Sequence, residues 1–206
     1  MTFPDEPFAD IGAFTDAYFD QAGRAAASVD RARLAAAAEL LGAAYARRAT
    51  VYVCGNGGSA SISNHLVCDH LKGVQTDTTT RPKVISLSAN LETITAIAND
   101  ISYDDVFVYQ LRTLAGAGDV LTTISSSGDS ENVVRACKWA KENECTVIAM
   151  TGFTGGRSAE LADVNLHVDG DNYGIVEDIH QSLMHVLAQY LRLERMEANL
   201  ITERKF

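Results

Sequence analysis

The chain has 206 residues, 47% hydrophobic and 21% charged, which gives enough apolar sequence for one globular domain with a sizeable core and too much for a disordered chain. Its formal charge is −10 at pH 7, and lysines and arginines are scattered singly, so there is no basic stripe to neutralise a nucleic-acid backbone. No apolar run approaches a membrane span, and the acidic start MTFPDEPFAD has neither the basic nor the apolar segment of a secretory signal; the expectation is a soluble, cytoplasmic protein without nucleic-acid or membrane partners.

From Ile11 to about Arg48, apolar residues recur at helical spacing (Phe14, Tyr18, Ala22; then Leu34, Ala38, Leu41, Tyr45), predicting two helices broken near Val29-Asp30, with Asp30 as an N-cap. These N-terminal helices, residues 1–48, are expected to belong to the same domain as residues 49–206 and to supply subunit contacts. Beyond them, ATVYVCG, KVISLSAN, DVLTTISSSG, CTVIAMTG and DVNLHV read as strands separated by helices, the pattern of an α/β domain with a mainly parallel sheet. TDTTTRP, residues 76–82, has turn chemistry without apolar periodicity and reads as a loop. Ile175, Ile179, Leu183, Val186, Leu187 and Leu191 predict a long amphipathic helix from about Gly174 to Leu193, with a charged tail after it. Cys54, Cys68, Cys137 and Cys145 have no CxxC spacing, which suits a reducing compartment.

Two small polar turns lead from strands into helices: GNGGSAS after the first strand and SSSGDSEN after the third. Backbone N–H groups at a helix start, opened by glycine and supplemented by serine hydroxyls, form an anion site without a formal cation. In an open parallel sheet such turns line the crevice at the carboxyl ends of the strands, so residues 55–59 and 125–130 could meet on one small phosphorylated ligand. Gly55-x-Gly57-x-x-Ala60 also satisfies a relaxed dinucleotide fingerprint, but the second strand ends in SLSAN, with Glu92 too late to hold a ribose. A Walker A loop is excluded because no lysine follows the glycines. Glycine and serine also make ordinary tight turns, and that plainer reading weakens when both turns are taken together.

GNGGSASISNH, LSANLETITAIANDISYDDVF, GDVLTTISSSGDSENVV, VIAMTGFTGG and EDIHQSLMHVL, in this order between about residues 10 and 195, resemble the phosphoheptose isomerases of the sugar isomerase (SIS) fold. The resemblance implies a flavodoxin-like three-layer αβα sandwich around a five-stranded parallel sheet. It also implies a homotetramer with active sites between subunits, and isomerisation of sedoheptulose 7-phosphate to D-glycero-D-manno-heptose 7-phosphate. By motif, the phosphate grip falls on Asn56, Gly57, Gly58, Ser59, Ser125, Ser126, Ser127 and Ser130, with Asp100 and Glu177 facing the sugar. One zinc ion per subunit would be held by His65, Asp69, Glu177 and His185. Asp69 stands where the family usually has Glu, Glu177 where it has Gln, and Gly174 where it has Asp, while His70 is an insertion with no role implied. Some relatives are non-catalytic tetrameric adaptors, such as the DnaA initiator-associating protein, and these lack the acid–base pair.

The residues support the same chemistry by themselves. His65 and Asp69 are i and i+4 on one helix, and Glu177, Gln181 and His185 share a face of another. An imidazole and a carboxylate from each helix form a nitrogen and oxygen donor set that suits zinc or another divalent transition metal. Aldose–ketose isomerisation through an enediol needs a base at carbon and an acid or metal at oxygen; Asp69 as base and His185 as acid meet that need. His180 and His167 are read as packing residues, as is Trp139.

Overall fold

The computed structural model describes residues 2–206. Five strands, β1 (Thr50–Cys54), β2 (Lys83–Ser86), β3 (Val120–Ser125), β4 (Thr146–Thr151) and β5 (Val164–His167), form one all-parallel sheet in the order β2-β1-β3-β4-β5. The strands read as continuous apolar runs because helices cover both faces. Alternate residues therefore enter different cores: Val51, Val53, Ile148 and Met150 join one cluster, and Tyr52, Cys54, Leu121 and Val147 the other.

Helices α1 (Ile11–Ser28), α2 (Arg31–Ala46), α3 (Gly58–Cys68) and α8 (Tyr173–Leu193) cover the first face. Helices α4 (Leu91–Asp100), α5 (Val108–Leu114), α6 (Glu131–Glu142) and α7 (Gly156–Leu161) cover the second. The result is the expected three-layer αβα architecture. Caps fix several boundaries: Asp10 accepts from the Ala13 amide, Asp30 from Ala32 and Arg33, Asn90 from Thr93, and Asn172 from Ile175, each satisfying amides that the first helical turn leaves open. The α1–α2 break falls where Asp30 places it.

Two local readings change. The second strand stops at Ser86, and the LSAN that follows is a turn ending in the Asn90 cap. More consequentially, α3 runs straight into a π-helical turn, Asp69–Val74. A wider turn is how a helix accommodates an additional residue, and it lies at His70, the position read as an insertion. His70 is fully buried, with Nδ1 2.5 Å from the Tyr45 hydroxyl of α2. Among the described residues no helix is long and apolar enough to cross a membrane.

Candidate active site

The chain path reverses between β1 and β3: β1 connects through α3 to β2 on one side, while β3 leads to β4 and β5 on the other. At such a switch point the connections leave a crevice beyond the carboxyl ends of the strands. The two serine turns stand there, and side chains join them. Asn56 Nδ2 donates to Asn132 Oδ1 at 2.9 Å, Asn132 Nδ2 donates to Asn56 Oδ1 at 3.1 Å, and the Tyr103 hydroxyl donates to Asn56 Oδ1 at 2.9 Å. Neither Asn132 nor Tyr103 was among the expected site residues. Asn132 could have been noticed as the second residue of α6, just past the serine turn; Tyr103 comes from a separate 3-10 turn and left no signal in spacing.

The first turn is shaped by close approach. A side chain at Gly55 would strike the Ile124 and Ser59 carbonyls at 2.7 Å, and Gly57 takes φ +55°. Ser88 ties the turn down, its Oγ accepting from the Gly55 amide and donating to the Gly55 carbonyl. Ser59 is buried in the first turn of α3. In the second turn Ser125 Oγ accepts from the Gly128 amide at 3.2 Å and Ser127 Oγ from the Asp129 amide at 3.3 Å. Ser126 Oγ is buried without a hydrogen-bond partner, and Ser130 caps α6 through its backbone position alone.

Further along α3 the structure brings His65, Asp69 and His185 together, with ligand atoms all within 4.8 Å of one another. Asp69 Oδ1 lies 3.3 Å from His65 Nε2, and Oδ2 lies 3.5 Å from His185 Nε2. Ligands about 2.1 Å from a tetrahedral ion stand roughly 3.4 Å apart; each imidazole is at about that distance from one Asp69 oxygen. Gln181 completes the cluster: its Nε2 lies 2.9 Å from His65 Nδ1 and 3.1 Å from His185 Nε2. The i+4 spacing placed Gln181 on the right face, but its bridging of two rings on different helices was visible only once α3 and α8 were packed.

Glu177 does not join this cluster. It stands two helical turns before His185, and its carboxylate lies over Gly58, where an added Cβ would overlap it. The amino end of α3 attracts a carboxylate there, so the expected fourth ligand sits beside the first serine turn. Burial, then the neighbouring Asp178 charge, raises the Glu177 pKa. Gly174 leaves room for Tyr18, whose hydroxyl would be 3.1 Å from a Cβ at that position and donates to Asp178 at 2.7 Å. Asp100 closes α4, exposed and accepting from Asn99 at 2.7 Å; no hydrogen bond links it to the other site residues.

The remaining histidines lie outside this cluster. His180 is fully buried, and burial lowers its pKa to about 4. His167 Nδ1 is 3.0 Å from the Thr151 hydroxyl. Trp139 packs, partly buried, on the second core.

Comparison with known proteins identifies the family. A family model for the SIS domain matches residues 17–152. A probable phosphoheptose isomerase from Thermoplasma acidophilum is 37% identical over 82% of this chain and 93% of its own. A phosphoheptose isomerase from Bordetella avium is 40% identical over 75% of this chain and 79% of its own. The solved phosphoheptose isomerase from Neisseria gonorrhoeae superposes with a TM-score of 0.81 at 32% identity, covering 88% of this chain and 98% of that one. With the family model spanning more than half of its length, and with relatives and structure agreeing, this chain belongs to the phosphoheptose isomerase family of SIS-domain proteins.

Proposed function

We propose that the protein converts sedoheptulose 7-phosphate to D-glycero-D-manno-heptose 7-phosphate through an enediol. The observation that carries this is the meeting of His65 and Asp69, at the far end of the helix whose first turn opens the anion-binding crevice, with His185 of α8. From Ser59 to His65 is six residues, about 9 Å of helix, the span of an extended sugar phosphate rather than a triose. The serine turns would hold the phosphate by backbone amides and hydroxyls.

Asp69 takes a proton from C1 of the ketose while His185 gives one to the C2 carbonyl oxygen, forming the enediol. Asp69 then returns its proton to C2 and His185 takes the O1 proton, leaving an aldehyde at C1 and a hydroxyl at C2. The sugar must enter between the two groups, which face each other at 3.5 Å. Zinc would suit the donor set of His65, Asp69 and His185 and, when bound, would polarise the sugar oxygens; an Asp69 or His185 atom holding the ion does not carry the transferred proton at the same time, so the metal-holding and acid–base roles exclude each other at any one atom. His65 orients the Asp69 carboxylate, and Gln181 orients the His65 and His185 rings. The reading includes a cytoplasmic homotetramer with active sites between subunits, making a heptose precursor for surface polysaccharide; exposed Phe19, Val186, Tyr190 and Leu193 on α1 and α8 suit subunit packing.

The test is turnover of sedoheptulose 7-phosphate by the parent, by Asp69→Asn and His185→Ala, and by a chelated sample. The expected result is an aldose phosphate formed by the parent, with both variants slowed about 10²- to 10⁴-fold. Chelation decides whether metal takes part. A folded parent with no turnover of this sugar, followed by turnover of another ketose phosphate, would reassign the substrate. No turnover of any would leave a binding scaffold.

A further inference from the structure

Asp129 and Glu131 flank Ser130 in the turn assigned above to phosphate. Alone, two carboxylates there would repel a dianion. Asp129 sits between Ser127, which accepts from its amide, and Ser130. Arg157, at the start of α7, covers both. Its Nε donates to Asp129 Oδ1 at 2.5 Å, Nη2 to the Asp129 carbonyl at 3.0 Å, and Nη1 to Glu131 Oε2 at 2.8 Å. Glu131 has a second cation, Arg135, at 3.0 Å; Asp129 has no other ion-pair partner among the described residues.

Backbone contacts bring Arg157 to this place independently of the ion pairs. The Gly152 amide donates to the Ser126 carbonyl at 2.8 Å, and the Ser158 amide to the Gly128 carbonyl at 2.9 Å. Side chains at Gly128 or Gly156 would strike the facing backbone, so the 152–158 loop and the serine turn are pressed together along their main chains.

We propose that Arg157 is a positioning residue that masks the charge of Asp129 and Glu131, so that the serine turn accepts a phosphate dianion without Arg157 touching it. All three guanidinium nitrogens point at residues 129 and 131. The inference rests on the phosphate reading of the turn. It differs from a simple clamp in sign. If the pair only held the turn in shape, Asp129→Asn would weaken phosphate binding; under masking the same change leaves uncompensated positive charge beside the turn and strengthens it.

The experiment measures binding of inorganic phosphate by calorimetry, and kcat and KM for sedoheptulose 7-phosphate, on the full chain and on Arg157→Ala, Arg157→Met, Asp129→Asn and the Asp129→Asn/Arg157→Ala double variant. Expected for either Arg157 variant is a roughly 3- to 10-fold rise in phosphate Kd and in KM, with kcat within about twofold of the parent. Asp129→Asn lowers Kd, the double variant returns near the parent, and added salt compresses all differences. Unchanged Kd in the Arg157 variants, weaker binding in Asp129→Asn, or no rescue in the double variant would each overturn masking while phosphate binding by the parent stands. A parent that binds no phosphate overturns the turn assignment, and masking with it. Should Arg157→Ala fail to fold, Arg157→Met keeps the aliphatic stem and Asp129→Asn gives the deciding sign.

Discussion

Asp69 offers one carboxylate oxygen to each of two imidazoles, whereas His70, the next residue, points the other way into the core. The Tyr45 hydroxyl, kept protonated by burial, shares a hydrogen bond with His70 Nδ1, and His70 Nε2 has no partner among the described residues. Burial lowers the pKa of His70, like that of His180, to about 4 from an ordinary 6.5. At these two sites the unfolded chain therefore binds more protons than the folded one between these values, so their contribution to stability falls as pH drops below about 6.5 and is fully lost below about 4. Each imidazole contributes on the order of 3 kcal/mol to that loss. Urea midpoints from pH 7 to 4 should show the slope, and His180→Leu should remove its share of it; a parent midpoint flat over this range would refute the assignment. The i, i+4 rule made His65, Asp69 and His185 legible in the sequence. The same rule misplaced Glu177, because spacing along one helix says which face a side chain is on and leaves open which end of a neighbouring helix it meets.

At the level of elements, the strands, the Asp30 break and α8 were readable because periodicity and caps are local properties. The π-helical turn was not, since nothing in a 3.6-residue pattern announces a widened turn. The packing of one loop against another was equally hidden. Gly128 has φ +64°, and a Cβ there would overlap the Gly155 carbonyl, so both backbone conformation and space demand glycine. Gly128→Ala should cost about 2–4 kcal/mol and displace the serine turn. In a urea titration with inorganic phosphate present and absent, the parent should be stabilised by phosphate and the variant should lose much of that gain. Full phosphate stabilisation of the variant would show that the turn can shift without consequence.

For the whole molecule, the −10 charge conceals where individual arginines are used. Arg192 on α8 is nearly buried, donating to the Thr76 carbonyl at 3.2 Å, to Asp77 at 3.0 Å and to the Lys205 carbonyl at 3.1 Å, with the Phe206 ring 4.7 Å away. One side chain thus holds the loop after the π-helical turn and the C-terminal tail to the same helix. Arg192→Ala leaves Asp77 with Arg204 at 3.3 Å and should cost about 3 kcal/mol, with proteolysis appearing first near residues 76–80 and in the tail. Cleavage elsewhere first would show that the two segments are held by other contacts. Such long-range ties are invisible to any window of sequence.

The π-helical turn at Asp69–Val74 also means that this helix carries one residue in reserve. Losing a residue from Leu71–Gly73 would let the backbone relax towards ordinary α geometry, with α3 and its His65 left in phase. The same loss within α8 would swing everything beyond it by about 100° around the helix axis and separate His185 from Asp69. Length variation in this fold is therefore tolerable just past the His65–Asp69–His185 cluster on one helix and ruinous on its partner.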